Sequence, residues 1–512
     1  MANKKSWSQY QQAIFDAVSN PDFGSFCVNA VAGSGKTTTI VESAFRESQK
    51  GISILFLAFN KSAVNNIIAK VCEQTADHQM PHNLQCKTLH SHGFGAILSY
   101  CRKKHITINK VDKKWADIIP SVSSASFEDD ALKVAYFSNI SDLLEKCRLN
   151  LVKSGETRKI AELAEHFGID LLADEVSVVS TILNSAYKVD GMVDFCDMIS
   201  TSAFSCSYNV PKYDLVFVDE AQDLNKAQQT LLKASLAPNG RFVAVGDPKQ
   251  AINGFAGADC DSFYNLAHEA GDKVLPLSVC YRCGKKIIDL AKTIVPAITA
   301  FEGAEDGEVR HTKDMAGIKK GDMVLCRKSA PLVDLCLKMI ASGIPANVAG
   351  KDICRGLVSL IDKTKARTLD TLFKKLYHQI DLAVERAKRK GLDPNEAPFV
   401  SSLRDKVACL DVVSANCNSV ADLISKLNSI FVDTEYTDPK SIVTLSTIHK
   451  AKGLEADNVF IVLPNKLPLV WKGQLPWQYE QEENLCYVAY TRAKKVLTFV
   501  DLSEDGLANY QF

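Results

Sequence analysis

The sequence lacks an excess of charge of either sign. Over 512 residues, 60 lysine and arginine residues balance 60 aspartate and glutamate residues. Bulk charge therefore gives no indication of a nucleic-acid partner, because binding to phosphates favours a positive surface. It does not exclude one, since a groove can be basic while the rest of the surface is acidic.

Long apolar runs are missing as well. No stretch approaches the roughly 20 apolar residues that a membrane-spanning helix needs, so no membrane partner is expected. The N-terminal segment MANKKSWSQYQQ lacks the apolar core of a signal peptide. These absences predict an intracellular protein, cytoplasmic or associated with the nucleoid, and located in the host cell if the source is viral.

The 16 cysteines of such a protein are expected to be buried thiols rather than disulfides. Cys280 and Cys283 are the one close pair, and the sequence has no second CxxC pair or matching pair of histidines. A structural zinc site is therefore not expected.

The sequence does contain two series of short apolar runs. The first series lies at 26–31, 52–58, 215–218 and 242–245, and the second at 323–326, 442–446, 459–463 and 496–500. Most runs precede glycine-rich or polar residues and then a helical pattern, which is typical of buried parallel strands in an α/β sheet. Two series predict two α/β domains.

Two stretches, 96–200 and 355–438, have a helical and polar pattern without a strand series of their own. We expect both to be helical insertions into the α/β domains. The predicted division is a first α/β domain at 1–95 and 201–280, a helical insertion at 96–200, a second α/β domain at 281–354 and 439–512, and a short helical insertion at 355–438.

The segment AVAGSGKTT at 30–38 lies between a predicted strand and a predicted helix. Its glycines allow the backbone to wrap around a phosphate so that the N–H groups point at the oxygens. Lys36 would neutralise the β and γ phosphates, and the Thr37 hydroxyl would ligate Mg²⁺. The strict GxxxxGK[ST] pattern is not met, because Ala30 stands at its first position. The predicted nucleotide-binding residues of this loop are Ala32, Gly33, Ser34, Gly35, Lys36, Thr37 and Thr38.

The segment LVFVDEAQD at 215–223 is the expected partner of this loop. Four apolar residues deliver Asp219 to the carboxyl end of a buried strand, where α/β sheets bind ligands. Asp219 would hold Mg²⁺ and Glu220 would polarise an attacking water. Alone, such a pair could be only a helix N-cap. Together with the glycine-rich loop it predicts a P-loop NTPase that uses a nucleoside triphosphate and Mg²⁺, and nothing narrower.

Four further motifs follow along the chain. They are GDPKQAINGFAGA at 246–258, YRCGKK at 281–286, STIHKAKGLE at 446–455 and ENLCYVAYTRAKK at 483–495. In this order and spacing they resemble the UvrD/Rep group of superfamily-1 helicases, close to its F-box helicase and phage-encoded branches. The resemblance implies an α/β fold of two RecA-like parallel-sheet domains with two helical insertion subdomains. It also implies that Mg-ATP is hydrolysed between the two RecA-like domains.

The resemblance implies catalytic roles for Lys36, Glu220, Gln250, Arg282 and Arg492. Gln250 matches a glutamine that senses the γ-phosphate, and the two arginines match those that stabilise its charge in the transition state. Three more residues match nucleotide contacts. Tyr281 matches a ring that stacks on the base, Glu455 a carboxylate that binds the ribose, and Gln11 a glutamine that reads adenine.

A track for single-stranded DNA is implied by the segments LAFNKSA and TLHSHGF, together with two positions in later motifs. The implied DNA-binding residues are Phe59, Asn60, Lys61, Thr88, His90, Phe255 and His449. Loops at strand ends would contact the backbone, and aromatic rings would stack on bases without reading sequence. Phe59 and Phe255 could instead be core residues, and RNA is not excluded as the track.

The sequence departs from the family pattern at three positions. Asn253 and Ala256 stand where the family usually has Tyr and Arg, so one stacking ring and one positive charge are missing from the track. Thr38 stands where an arginine that packs on adenine is common. The preference for ATP over other triphosphates is therefore less strictly determined.

These motifs predict an ATP-dependent DNA helicase that translocates on single-stranded DNA, 3′-to-5′ by resemblance, and acts at junctions of single and double strands. The alternative is an ATP-driven translocase that strips proteins from single strands without efficient unwinding. A binding protein with a decayed ATPase is disfavoured, because the catalytic residues are intact. Replication or recombination proteins are candidate partners, DNA repair and replication are candidate pathways, and a monomer is expected.

Overall fold

The structure is a computed structural model that describes residues 7–112, 114–115, 118–127, 130–169, 171, 173–254, 257, 259, 261–389, 391–395, 397–415, 417–432 and 438–512. The chain divides into two compact units. The first is Met1–Val31 with Gly35–Ser278, and the second is Ala32–Ser34 with Val279–Phe512. Among the helices so described, none is both long enough and apolar enough to cross a membrane.

The first unit is built on a parallel sheet. Its strands are β1 (Phe26–Ala30), β2 (Ile54–Ala58), β3 (Leu84–Thr88), β4 (Asn109–Lys110), β5 (Met192–Val193), β6 (Tyr213–Val218), β7 (Leu236–Gly246) and β8 (Val274–Leu277). Six of them form one sheet in the order β3-β2-β6-β7-β1-β8, in which every neighbouring pair is parallel. Strands β4 and β5 form a separate two-stranded sheet.

Helices cover this sheet and form the insertion. They are α1 (Gln9–Ser19), α2 (Lys36–Ser48), α3 (Lys61–Cys72), α4 (Leu89–Lys104), α5 (Ile118–Val122), α6 (Asp130–Leu149), α7 (Thr157–His166), α8 (Glu175–Ala186), α9 (Asp197–Phe204), α10 (Lys226–Ala234) and α11 (Ser262–Glu269). Helices α5 to α8 share a core of their own, in which Tyr136, Leu143 and Ile182 are almost fully buried.

Both faces of the first sheet are buried, which explains its continuous apolar strands. Successive residues of a strand point to opposite faces. In β2, Ile54 and Phe56 therefore pack with α1, α2 and α3, whereas Leu55 and Leu57 pack with α4, α9, α10 and α11. The carboxyl ends of β1, β2 and β6 lie along one edge, where their loops can form a site.

The second unit contains a larger parallel sheet. Its strands are β9 (Val279–Cys280), β10 (Thr299–Ala300), β11 (Glu308–Thr312), β12 (Met323–Cys326), β13 (Ala346–Ala349), β14 (Phe431–Val432), β15 (Val443–Thr447), β16 (Ala456–Val462) and β17 (Ala493–Val500). The seven-stranded sheet has the order β11-β17-β16-β12-β15-β13-β14, and all of its pairs are parallel. Strands β9 and β10 pair with each other.

The helices of the second unit are α12 (Lys285–Ala291), α13 (Ala330–Ala341), α14 (Lys351–Thr364), α15 (Leu369–Arg389), α16 (Pro398–Ser414), α17 (Val420–Ile430), α18 (Pro476–Tyr490) and α19 (Glu504–Ala508). Apolar residues of α13 to α17 share one core with β12 and β15. The second helical insertion therefore packs on its own sheet and adds to a single core.

The predicted α/β class with two parallel-sheet domains and two helical insertions is confirmed. Each of the eight predicted apolar runs overlaps a strand. Three predicted borders, after residues 95, 200 and 354, fall inside α4, α9 and α14. Helices α4 and α9 pack on the first sheet as well as carrying the chain into and out of the insertion, so the insertion is bounded by shared helices.

Candidate nucleotide site and nucleic-acid surface

The loop after β1 has the backbone shape that a phosphate cradle requires. Gly33 and Gly35 have φ of +67° and +80°, in the left-handed region that residues with a Cβ rarely adopt. Gly35 immediately precedes α2, whose first residue is Lys36. The N–H groups of the first turn of α2, together with the positive end of its dipole, therefore face the loop.

Lys36 and Thr37 lie beside two carboxylates from the end of β6. The Lys36 Nζ lies 2.9 Å from Glu220 Oε1, and Thr37 Oγ1 donates to Asp219 Oδ2 at 3.3 Å. Burial alone would lower the pKa of Lys36, but the charges of Glu220, Asp219 and Asp247 outweigh it and raise the pKa. The lysine is therefore fully charged at neutral pH.

The carboxylates around Lys36 are crowded and poorly solvated. Burial, reinforced by the neighbouring Glu220, raises the pKa of Asp219 to about 6. Burial also raises the pKa of Asp247. A divalent cation would relieve this repulsion, and carboxylate and hydroxyl oxygens are the ligands that Mg²⁺ prefers. Thr37 and Asp219 therefore fit a magnesium ion.

Glu220 adopts a left-handed conformation with φ of +54°, which is strained for a residue with a side chain. Gln222 holds it there, since Gln222 Nε2 donates to Glu220 Oε2 at 2.5 Å. The other end of the same amide, Oε1, accepts from the backbone N–H of Asp247 at 3.0 Å. The sequence analysis did not single out Gln222 or Asp247, because the contacts of Gln222 with Glu220 and Asp247 exist only in the folded chain.

Gln250 and Gln11 lie at two different positions around this cluster. Gln250 Nε2 donates to Asp247 Oδ2 at 2.6 Å, which connects Gln250 to the charged cluster. Gln11 is buried at the start of α1 and its Nε2 donates to Thr39 Oγ1 at 3.0 Å, beside the first turn of α2. Thr38 is partly buried in that turn.

The second unit brings Arg282, Glu455 and Arg492 together. Arg282 Nε lies 2.6 Å from Glu455 Oε2, and Lys494 Nζ lies 2.6 Å from the other carboxylate oxygen. Arg492 is 1% exposed and donates to the carbonyl oxygens of Val488 and Leu454 at 2.9 and 3.1 Å. Burial and the nearby Arg282 charge lower the pKa of Arg492 to about 10, so Arg492 stays charged at neutral pH.

Residues 32–34 of the phosphate loop belong to the second compact unit. The Ala32 N–H donates to Tyr487 Oη at 2.8 Å, and the Tyr281 N–H donates to the Gly33 carbonyl at 2.9 Å. Ser34 is fully buried, while the Tyr281 ring is 44% exposed and open to stacking. Tyr487 is a further residue that the sequence analysis missed, because its hydroxyl meets the loop only in the folded chain.

The implied DNA-binding residues of the first unit lie at two neighbouring strand ends. Phe59 follows β2 and is 46% exposed. Asn60 caps α3, accepting the Ala63 N–H at 2.7 Å, and Lys61 is exposed in the first turn. Thr88 caps α4, because its Oγ1 accepts a hydrogen bond from the backbone N–H of Ser91. Two capped helix N-termini therefore lie side by side, which suits contacts with a phosphate backbone.

His90 stacks on Phe195, an aromatic residue of the insertion that the sequence analysis missed. The ring centroids are 3.8 Å apart and the planes meet at 19°. Phe195 is 67% exposed, so its other face is open. Burial lowers the pKa of His90 to about 4, which keeps the imidazole neutral at pH 7. The pair therefore presents an uncharged stacking surface.

These rings border a cavity of about 630 Å³ within the first unit. Phe59 and His90 line it from the sheet side, and Trp115 and Phe195 line it from the insertion. Charged residues complete the wall, namely Asp112, Lys114, Glu145, Arg148, Asp194 and Asp223. Acidic side chains outnumber basic ones, so the cavity suits a base better than a phosphate.

A buried ion-pair network holds Phe195 in place. Arg148 donates to both carboxylate oxygens of Asp194 at 2.8 Å and to Asp197 at 2.5 Å. Lys114 Nζ also lies 3.2 Å from Asp197. Because Phe195 lies between the two aspartates in sequence, this network positions its ring against His90.

Two more implied DNA-binding residues are Phe255 and His449. Phe255 falls outside the described residues. His449 belongs to the second unit, where burial and the charges of Arg327 and Lys450 lower its pKa to about 3. The structure therefore brings together the five described implied residues of the first unit and places His449 in the second unit.

Comparison with known proteins bears on both units. The family model described as the UvrD/REP helicase N-terminal domain matches residues 10–271, and the UvrD-like helicase C-terminal domain matches residues 357–504.

Three relatives align over nearly the whole chain. F-box DNA helicase 1 of Gallus gallus is 25% identical over 526 residues, covering 94% of this chain and 48% of the relative. F-box DNA helicase protein 1 of Schizosaccharomyces pombe is 25% identical over 541 residues, covering 98% and 58%. ATP-dependent DNA helicase PcrA of Staphylococcus epidermidis is 21% identical over 612 residues, covering 93% and 81%.

The chain spans about half the length of the two F-box helicases that it matches. One family model alone covers just over half of the chain, and the second covers much of the other unit. The chain therefore belongs to the UvrD/Rep family of DNA helicases.

Proposed function

We propose that this chain is an ATP-dependent DNA helicase that hydrolyses Mg-ATP and moves 3′-to-5′ along single-stranded DNA. The observation that carries the proposal is the cluster of Lys36, Thr37, Asp219 and Glu220 at the ends of β1 and β6. It combines a charged lysine, two candidate ligands for a cation and a carboxylate able to polarise water.

Lys36 and Glu220 are paired with each other at 2.9 Å. Phosphate oxygens would compete for Lys36, since they carry more negative charge than one carboxylate. Loss of the pair would release Glu220 to accept a proton from the attacking water. Thr37 and Asp219 would hold Mg²⁺, which supplies positive charge to the phosphate oxygens when bound.

Arg282 and Arg492 are the candidates for stabilising negative charge in the transition state, by their match to the family motifs. Arg282 is paired with Glu455, which the motif match assigns to the ribose. A nucleotide whose ribose binds Glu455 would therefore weaken the ion pair between Glu455 and Arg282. Gln250, bonded to Asp247, would couple the γ-phosphate to the charged cluster.

Single-stranded DNA would bind the surface formed by Phe59, His90 and Phe195, because exposed neutral rings stack on bases of any sequence. The N-termini of α3 and α4 would contact the phosphates. This arrangement supports binding of a single DNA strand whose bases are not paired with a second strand.

The test is steady-state hydrolysis of ATP with and without single-stranded DNA. Wild type should be stimulated strongly by DNA, and Lys36→Ala should lose nearly all activity, because the β and γ phosphates lose their counter-charge. Lys233→Ala is the matched control, since Lys233 forms a surface ion pair with Glu269. If DNA does not change the rate of ATP hydrolysis by wild type, the proposed DNA-binding surface is contradicted. If Lys36→Ala hydrolyses ATP as fast as wild type, the proposed nucleotide site is contradicted.

Polarity and unwinding are tested on duplexes with a single-stranded tail at either end. Unwinding of only the 3′-tailed duplex supports the proposed helicase. Displacement of a protein block without strand separation would instead favour the translocase that strips proteins from DNA.

A further inference from the structure

The start of α10 fixes the orientation of two amide side chains in the wall of the 630 Å³ cavity. The Gln228 N–H donates to Asn225 Oδ1 at 2.9 Å, and the Asn225 N–H donates to Gln228 Oε1 at 2.9 Å. Both amide oxygens are therefore used, which leaves the amide nitrogens as donors. Although the residues are only 8% and 4% exposed, neither nitrogen has a hydrogen-bond partner within the described part of the chain.

A third amide in the same wall has the opposite orientation. Asn253 Nδ2 donates to Asp223 Oδ1 at 3.2 Å. Because an ionised carboxylate only accepts hydrogen bonds, this contact determines which end of the amide is the nitrogen. Asn253 Oδ1 is left as an acceptor, and no residue that the structure describes donates to it.

The cavity wall therefore groups two donors on one turn of α10 and places an acceptor on a separate loop. Cytosine has the complementary edge, since its O2 and N3 are adjacent acceptors and its N4 amino group is a donor. Thymine alternates instead, with an N3–H donor between two carbonyl acceptors. The surrounding carboxylates also favour an edge that carries an amino group.

We propose that this cavity receives a base of the bound single strand and selects cytosine over thymine. Asn225 and Gln228 donate to O2 and N3, and Asn253 accepts from the N4 amino group. Phe59 and Phe195 supply the stacking surfaces. The inference rests on the proposed function, because it requires single-stranded DNA on this surface.

The test compares the affinities of oligo(dC) and oligo(dT) of about 16 nucleotides by fluorescence anisotropy at pH 8. Both are pyrimidine strands, so they differ mainly in the edge that the cavity reads. Wild type should bind oligo(dC) about five- to tenfold more tightly. Asn253→Leu should lower this ratio at least threefold, because the acceptor for the N4 amino group is lost, while changing the affinity for oligo(dT) by less than about twofold.

Asn265→Leu is the matched control, since Asn265 also donates its amide to an aspartate, Asp259, at 2.8 Å but does not line the cavity. It should keep the wild-type ratio. Wild-type affinities for the two strands within twofold of each other would overturn the inference even if Asn253→Leu fails to fold. A preference for oligo(dC) that is undiminished in Asn253→Leu would overturn it too. Absence of binding to both strands would count against the proposed function itself.

Discussion

Replacement of Arg148 by methionine should destabilise the first unit strongly. Arg148 is 2% exposed and makes three hydrogen bonds to Asp194 and Asp197. Removal of one partner from a buried ion pair costs about 3–5 kcal/mol, because a charge remains without compensation. Asp197 keeps Lys114, and Asp194 keeps the backbone N–H of Asp197 at 2.6 Å. We therefore expect the free energy of unfolding at pH 7 to fall by about 3 kcal/mol, the lower end of that range.

The dependence on pH distinguishes a charge effect from a packing effect. Burial would raise the pKa of Asp194, but hydrogen bonds and charge from Arg148 lower it overall. In wild type, the stability from Asp194 is present above the unfolded pKa of about 3.9 and is lost as pH falls through the lower folded pKa. In Arg148→Met burial is opposed only by the Asp197 N–H and the charge of Lys114, so Asp194 takes up a proton at higher pH than in wild type. The difference between the two proteins should therefore shrink as pH falls from 7 towards 4.

Urea denaturation measures this difference when it is followed by the fluorescence of Trp115, whose ring lies 5.5 Å from the Arg148 guanidinium. The other three tryptophans are replaced by phenylalanine in all variants. Arg158→Met is the control, because Arg158 is 92% exposed and its pair with Glu162 should contribute nothing measurable. A loss below about 1 kcal/mol at pH 7, or a loss that grows as pH falls, would refute the reasoning.

Two further predictions concern binding and catalysis. Phe195→Ala should weaken binding to oligo(dT) about tenfold, because stacking of one base on an aromatic ring contributes roughly 1–3 kcal/mol. Phe204→Ala, which removes an exposed ring at the last residue of α9, should leave the affinity unchanged. Equal affinities of wild type and Phe195→Ala in an anisotropy titration would contradict the stacking role. Hydrolysis of ATP should decline as pH falls below about 6, because burial and Glu220 raise the pKa of Asp219 to about 6 and protonation removes a Mg²⁺ ligand. More Mg²⁺ should move the midpoint of the pH–rate profile to lower pH, and an unchanged midpoint would count against Asp219 as a ligand.

The central strands were predictable because they are buried on both faces and remain apolar throughout. The strands at the edges of the sheets were not predictable from the sequence. In β3 only Leu84 is well buried, and β11, with the sequence EVRHT, is half exposed. A strand with one face in solvent loses half of its apolar signal. The borders of the insertions were missed for a related reason, since α4 and α9 have the same helical period on both sides of the border.

Some residues of the candidate site were also predictable from the sequence, and others were not. Residues that follow a strand within a motif, such as Lys36, Asp219 and Glu220, could be proposed from their neighbours in sequence. Phe195 and Gln228 could not, because only tertiary packing brings them to the ends of β2 and β3. Asn253 was noted only as the absence of a ring, and its bond to Asp223 could not be foreseen. Whether any of these residues acts as proposed stays a prediction.

Strand β3 passes into α4 without an intervening residue, and Thr88 is both the last residue of the strand and the cap of the helix. A connection of this kind has no hinge, so the 16-residue helix turns rigidly with the strand end. Its length is about 24 Å, and a rotation of about 5° at the strand would move its far end by about 2 Å. A dye attached near His105 would therefore report a small rotation of the strand end as a larger displacement.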